Sequence, residues 1–216
     1  NIVSSFDGEN WVNFNTTNSG LPQDFVTCMA IRADGRKLIG TNDSGIAEYN
    51  DSTWKVRRTA STALPSNHIT AVTFDHSGTK WVGTQSGLMS FNDTGLNWIK
   101  RPIESAYYPS FSEWTTSLVA DNSGNVWFGT MYNGFGKYSG NQLTFIDSSV
   151  TKFYKPNSNS TICDKSGHLW AGVGRNLYEF DGTNWTPHSN SSIGTISCIA
   201  VDKNNDIWTG TSKGEL

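Results

Sequence analysis

The chain has 216 residues, nine of them Trp and 21 Gly, with a net charge of −3 and both signs interspersed. That length suits a single domain with a proper core. The charge offers no basic face to a nucleic-acid backbone, and no apolar run approaches the roughly 20 residues of a membrane helix.

Three cysteines, Cys28, Cys163 and Cys198, are too few and too scattered for a disulfide framework or a zinc site. The chain opens at Asn1 without a Met or a signal peptide, which reads as a processed or excised product.

The first element, SSFDGENWVNF at 4–14, reads as two strands carrying Phe6 and Trp11 around a turn. Residues 21–63 then give a hydrophobic strand, a turn RADG at 32–35, the strand KLIGT at 37–41, a strand ending near Tyr49, and a strand at Trp54. Residues 64–111 repeat this as ITAVTFD, DHSG, KWVGTQ, GLMSFN and LNWIK. Residues 112–153 follow with DNSG and VWFGT, residues 154–192 with DKSG and LWAGV, and residues 193–216 with DKNN and IWTGT. The anchoring glycines, Gly40, Gly83, Gly129, Gly172 and Gly210, are spaced by 43, 46, 43 and 38 residues.

Tight turns make neighbouring strands antiparallel, so each unit is a four-stranded meander that must stack to bury its faces. About 45 residues and four strands per unit match a propeller blade. Cys28, Ala71, Ser117, Ser160 and Cys198 fall at one equivalent innermost position, and all are small, as sheets converging on an axis require. The expectation is an all-β propeller of about five four-stranded antiparallel blades in one domain, 1–216. Counted past Leu216 and on from Asn1, the distance from Gly210 to Gly40 is one more repeat length. The N-terminal strands 1–20 would then close the last blade, with Phe6 and Trp11 at the Phe180 and Trp185 positions. The same phase would arise in a piece of a longer array.

LPSNHITAVTFDHSGTKWVGTQSGLMSFN, from Leu64 to Asn92, resembles the two-component regulator propeller repeat: Leu-Pro, a hydrophobic strand, Asp-x-x-Gly-x-x-Trp-x-Gly-Thr, then Gly-Leu and an aromatic. The resemblance extends to 21–49 and 112–138, and with losses to 154–180 and 193–216. It implies a bacterial periplasmic or extracellular propeller, in this family often the sensor part of a histidine kinase that responds to glycans.

The repeated Trp81, Trp127, Trp170 and Trp208 read as packing between blades, and Asp75, Asp121 and Asp164 as turn-starters. Asp202, Asn204 and Asp206 have calcium-loop spacing, but Ile207 stands where Gly is needed and Lys213 where the bidentate acid is needed. The four His never fall at i, i+2 or i, i+4 spacing, and nothing resembles HExxH, GxSxG or a phosphate-binding Gly loop. No catalytic residue, metal site or cofactor is therefore expected.

Function usually sits on loops that vary over a rigid scaffold. RPIESAYYPSFSEW at 101–114 and MYNGFG at 131–136 leave the disc on one face and bring Tyr107, Tyr108, Trp114, Tyr132 and Asn133. Aromatic rings beside polar groups can stack on sugars. The leading expectation is thus a non-catalytic sensing module with carbohydrate or another small molecule as ligand. A protein-interaction scaffold using the same face, and a propeller lyase or hydrolase, are the alternatives.

Overall fold

The computed structural model describes residues 2–93, 99–101, 114–131, 135–146, 158–189 and 194–212, and these hold strands and turns without a helix. Four antiparallel meanders of four strands are formed. They are β3 (Val26–Ile31) to β6 (Trp54–Arg57), through β4 (Lys37–Thr41) and β5 (Ile46–Tyr49). Next come β7 (Ile69–Phe74), β8 (Lys80–Thr84), β9 (Gly87–Phe91) and β10 (Ile99–Arg101). The third comprises β11 (Thr115–Ala120), β12 (Val126–Thr130), β13 (Phe135–Ser139) and β14 (Gln142–Ile146). The fourth comprises β15 (Ser158–Cys163), β16 (Leu169–Val173), β17 (Asn176–Phe180) and β18 (Trp185–Ser189). Among the described residues, the strands expected for a fifth blade form two two-stranded sheets: β1 (Val3–Phe6) with β2 (Trp11–Phe14), and β19 (Ile196–Val201) with β20 (Ile207–Thr211).

Each turn from first to second strand needs one left-handed residue. Gly35, Gly78, Gly124 and Gly167 supply it at φ 81–88°, and Asn205 does so at 72°. Asn tolerates that region better than other side chains, which is why DKNN keeps the turn without its Gly. The Asp-led turns close by a second device: Asp121 Oδ1 accepts the N–H groups of Ser123 at 2.9 Å and Asn125 at 2.8 Å.

The first strand of all five repeats carries a bulge at the same place, between Val26/Cys28, Ile69/Ala71, Thr115/Ser117, Ser158/Ser160 and Ile196/Cys198. The bulge brings each predicted small residue directly opposite an anchoring glycine, from Cys28–Gly40 to Cys198–Gly210. These glycines are recesses. A Cβ at Gly40 would lie 2.5 Å from Cys28 Sγ and 2.6 Å from Ile69 Cγ2 of the next sheet. At Gly172 it would lie 2.5 Å from Ile196 Cγ2.

The chain divides into two compact units, residues 1–74 with 78–102, and residues 75–77 with 103–216. In the first, Leu38 and Ile46 pack on Leu64, Ile69, Val72, Val82 and Phe91. On the other face of the β3–β6 sheet, Val3 of β1 and Trp54 cover Leu21, Ile39 and Ala47. In the second, Phe135, Ala171 and Val173 pack with Tyr178 and Trp185, and Trp127 meets Phe180 edge-on at 5.3 Å.

The aromatic pairing of third and fourth strands follows the repeat. Tyr49 is directly opposite Trp54, Phe180 opposite Trp185, and Phe6 opposite Trp11, with ring centroids 4.3, 5.1 and 4.9 Å apart. Their turns share one cap, in which Asp7 Oδ1 and Asp181 Oδ1 each accept two backbone N–H groups at 2.7–2.8 Å. Thus β1–β2 has the register of an outer half-blade.

Tryptophan packing is less uniform than the repeat suggests. Trp81 and Trp127 are each 4% exposed, as core residues should be, whereas Trp208 is 55% exposed. Trp208 lies on β20, in a sheet that has two strands among the described residues.

Candidate functional site

Of the loop aromatics expected to bind ligand, Tyr107, Tyr108, Tyr132 and Asn133 lie outside the described residues. Trp114 is described: it is half-buried just before β11, and its carbonyl accepts the Met131 N–H at 3.0 Å. That bond ties the base of one loop to the base of the other.

The described cavity lies elsewhere, within the first unit, between the β3–β6 and β7–β10 sheets. It has a volume of about 270 Å³ and sits at the end of the sheets where Lys37 begins β4, just after Arg36, and Lys80 begins β8. Its floor is ionic. Lys80 is 1% exposed and Arg57 6%. Glu48 bridges them, with Oε2 3.0 Å from Lys80 Nζ and Oε1 accepting from Arg57 Nε at 2.6 Å. Asp93 takes a second hydrogen bond from Lys80 and one from Arg36. The Lys80 ammonium holds the Asp93 carboxyl below the usual range, against the burial that raises it. Phe91 lies beneath both buried cations, its ring centre 4.8 Å from Arg57 Cζ and 5.1 Å from Lys80 Nζ.

Five cations (Arg36, Lys37, Lys55, Arg57 and Lys80) and two carboxylates line this cavity; two further carboxylates beside it pair with lining cations, Asp51 with Lys37 and Asp34 with Arg36, which leaves one positive charge in excess. Tyr49 and Phe74 supply apolar wall, and Asn50, Thr53 and Lys55 form an exposed rim. The sequence held a signal for this site. Lys80 occupies the strand position that Val126 and Leu169 fill in later repeats, and all three are 1% exposed. A lysine in a core slot demands carboxylates, and Glu48 and Asp93 answer it.

In the second unit, Glu179 holds two histidines, His168 Nδ1 at 2.7 Å on one carboxylate oxygen and His188 Nε2 at 2.8 Å on the other. The nitrogens meet different oxygens and do not converge on one point. Among the described residues, no group of three or more His, Cys, Asp and Glu is arranged to hold a metal ion. In the calcium-like segment, both oxygens of Asp202 are committed. Oδ1 accepts from Asn204 and Asp206 N–H at 2.8 and 2.9 Å, and Oδ2 from the Trp208 indole at 3.3 Å.

No protein-family model matches the chain, and no curated protein matches it in sequence. Solved structures do. The extracellular domain of a putative hybrid two-component system from B. thetaiotaomicron superposes with a TM-score of 0.76 at 23% identity, over 87% of this chain and 26% of that one. A second such domain from the same organism gives 0.73 at 18% identity, over 94% and 30%. Virginiamycin B lyase from Staphylococcus aureus gives 0.79 at 14% identity, over 99% and 71%. The fold is thus that of propeller proteins, and its neighbours among sensor ectodomains agree with the resemblance carried by the repeat. The chain spans about a quarter of the length of the first ectodomain. Among the described residues no helix is long and apolar enough to cross a membrane.

Proposed function

We propose that the chain is a non-catalytic, ligand-sensing propeller segment of an extracellular or periplasmic bacterial sensor, with carbohydrate as its ligand class. The observation that carries this reading is the agreement of two independent signals: the Asp-x-x-Gly-x-x-Trp-x-Gly-Thr repeat and the structural similarity to two-component ectodomains. In this reading Tyr107, Tyr108, Trp114, Tyr132 and Asn133 form a shallow stacking groove on the loop face. Residues 1–216 belong to one propeller, with β1–β2 as the outer half of the blade whose inner half is β19–β20. The test is an oligosaccharide panel followed by titration calorimetry on Tyr108→Ala and Tyr132→Ala. Micromolar to millimolar binding, on the order expected for a few stacking contacts, lost in both folded variants, supports the reading. Parent-like binding by the variants moves the site elsewhere, and capture of a polypeptide in place of a glycan favours a protein scaffold.

A second reading, a propeller lyase, is favoured by the superposition on virginiamycin B lyase across nearly the whole chain. Its check is direct: incubation with virginiamycin B and mass spectrometry for a converted product. Conversion would displace the sensing reading, since fold alone does not assign function.

A further inference from the structure

We propose that the cavity between the β3–β6 and β7–β10 sheets binds the acid group of a small anionic ligand, a carboxylate or sulfate carried on a sugar unit. The sugar part rests on the carbohydrate-sensing reading above; the anion part does not.

Lys80 begins the argument. The fold accepts Val126 and Leu169 at the same strand position, equally buried, so packing alone has no need of a charge there. Burying an ion pair in place of well-packed apolar groups is usually neutral or unfavourable for stability. Yet here two cations, Lys80 and Arg57, are sunk beneath a cavity and tethered by one bridging carboxylate, Glu48. Titratable groups desolvated at a cleft mark a candidate functional site.

The second observation is the imbalance. Five of the chain's 16 Lys and Arg residues line this single cavity, against two carboxylates. Glu48 and Asp93 are shared among the buried cations and Arg36, and Asp51 and Asp34, outside the lining, pair with Lys37 and Arg36, so the excess rests on Lys55, which stands on the exposed rim with no acidic partner among the described residues. Low-dielectric walls from Phe74 and Tyr49 confine the field of this excess and raise the local concentration of anions.

Size sets the ligand class. A cavity of about 270 Å³ is just below the usual range for small-molecule pockets, so it admits a sugar unit rather than a longer chain. Asn50 and Thr53 stand at the rim, and Tyr49 adds an aromatic ring to the wall beside them.

The experiment is calorimetric titration of the intact chain with glucuronate, glucose 6-sulfate, glucose and inorganic sulfate, at low and at about 0.5 M salt. Glucuronate and glucose 6-sulfate are expected to bind and glucose not, with affinity falling about tenfold at high salt as the exposed charges are screened. Lys55→Glu, an exposed rim change, should weaken both by at least about fivefold with an unchanged melting temperature. As a second variant, Lys80→Leu puts into the floor the residue found at Leu169 and leaves Glu48 paired with Arg57 and Asp93 with Arg36; it should remove binding while leaving the protein folded. Absence of anion binding, or binding indifferent to salt and to both variants, overturns the proposal. Free sulfate binding as tightly as glucose 6-sulfate overturns its assignment to a sugar. Oligosaccharide binding lost in Tyr108→Ala but unchanged in Lys55→Glu would sink this proposal while sparing the loop-face site. Anion binding at this cavity without any response to neutral oligosaccharides would do the reverse.

Discussion

The indole N–H of Trp127 donates to Asp121 Oδ2 at 2.9 Å. The same bond joins Trp170 to Asp164 at 3.0 Å and Trp208 to Asp202 at 3.3 Å. One carboxylate therefore closes a turn with one oxygen and anchors the tryptophan of the following strand with the other. In the first blade Arg32 stands at the Asp position and Leu38 at the Trp position, so the carboxylate disappears together with the indole it would serve.

Asp121→Ala should leave the Trp127 N–H buried without its acceptor. We expect a loss of about 1–3 kcal/mol in urea unfolding, the penalty for an unsatisfied buried donor. Trp127→Ala should cost more, about 3–5 kcal/mol, as a large-to-small core change. The two losses should not add in the double variant, because the carboxylate has no indole left to hold. Full additivity would show that the bond carries no energy.

The pH dependence follows from the same motif. Burial raises the Asp164 carboxyl, but the Trp170 indole and the His168 and Ser166 N–H groups outweigh it and hold it below its usual value. Asp202 is lowered first by the Asp206 N–H. A carboxyl depressed in the folded state contributes stability above its unfolded pKa, about 3.9, that is lost as pH falls through the folded value. Unfolding midpoints should therefore be flat from pH 7 to about 5 and fall steeply below about 4. Asp164→Asn should shrink that fall, and an equal acid slope in parent and variant would refute the assignment.

Thiol labelling should separate the three cysteines. Burial pushes the Cys28 thiol up to about 11. Burial, with the nearby Asp121 and Asp164 charges, pushes Cys163 up to about 12. Both stay protonated at pH 8 and should resist a disulfide reagent in the native protein, whereas Cys198 is exposed and should react. One fast thiol before unfolding and three after is the expected count; fast reaction of Cys28 or Cys163 would contradict it.

Much of this architecture is legible in the chain because each blade solves the same problem with the same residues. Gly40 and Gly172 repeat because the next sheet's Ile69 and Ile196 lie against them, and the Asp-x-x-Gly-x-x-Trp spacing repeats because it is one hydrogen-bonded unit. The ionic cavity is legible only in the lysine that fills a core slot; its partners are scattered along the chain, Glu48 and Arg57 in one sheet and Asp93 in the segment after β9 of the next. The exposure of Trp208 was equally hidden, since periodicity reports a repeat position and not whether a neighbouring sheet covers it.

The last prediction concerns the two half-blades. Val3 packs on the Leu21, Ile39 and Ala47 cluster, so deleting residues 1–14 should uncover that face and lower the melting temperature by several degrees, at roughly 2–4 °C per kcal/mol for a chain of this size. That loss alone does not test whether the N-terminal hairpin completes the blade begun by β19–β20. Hydrogen exchange does. The outward edge of β20 presents backbone groups that are protected only if a third strand pairs with them. If β1 is that strand, the alternate amides of Ile207–Thr211 that face away from β19 should exchange slowly in the parent and lose protection in the deletion variant. Fast exchange in the parent, or protection unchanged by the deletion, would rule out closure by residues 1–14.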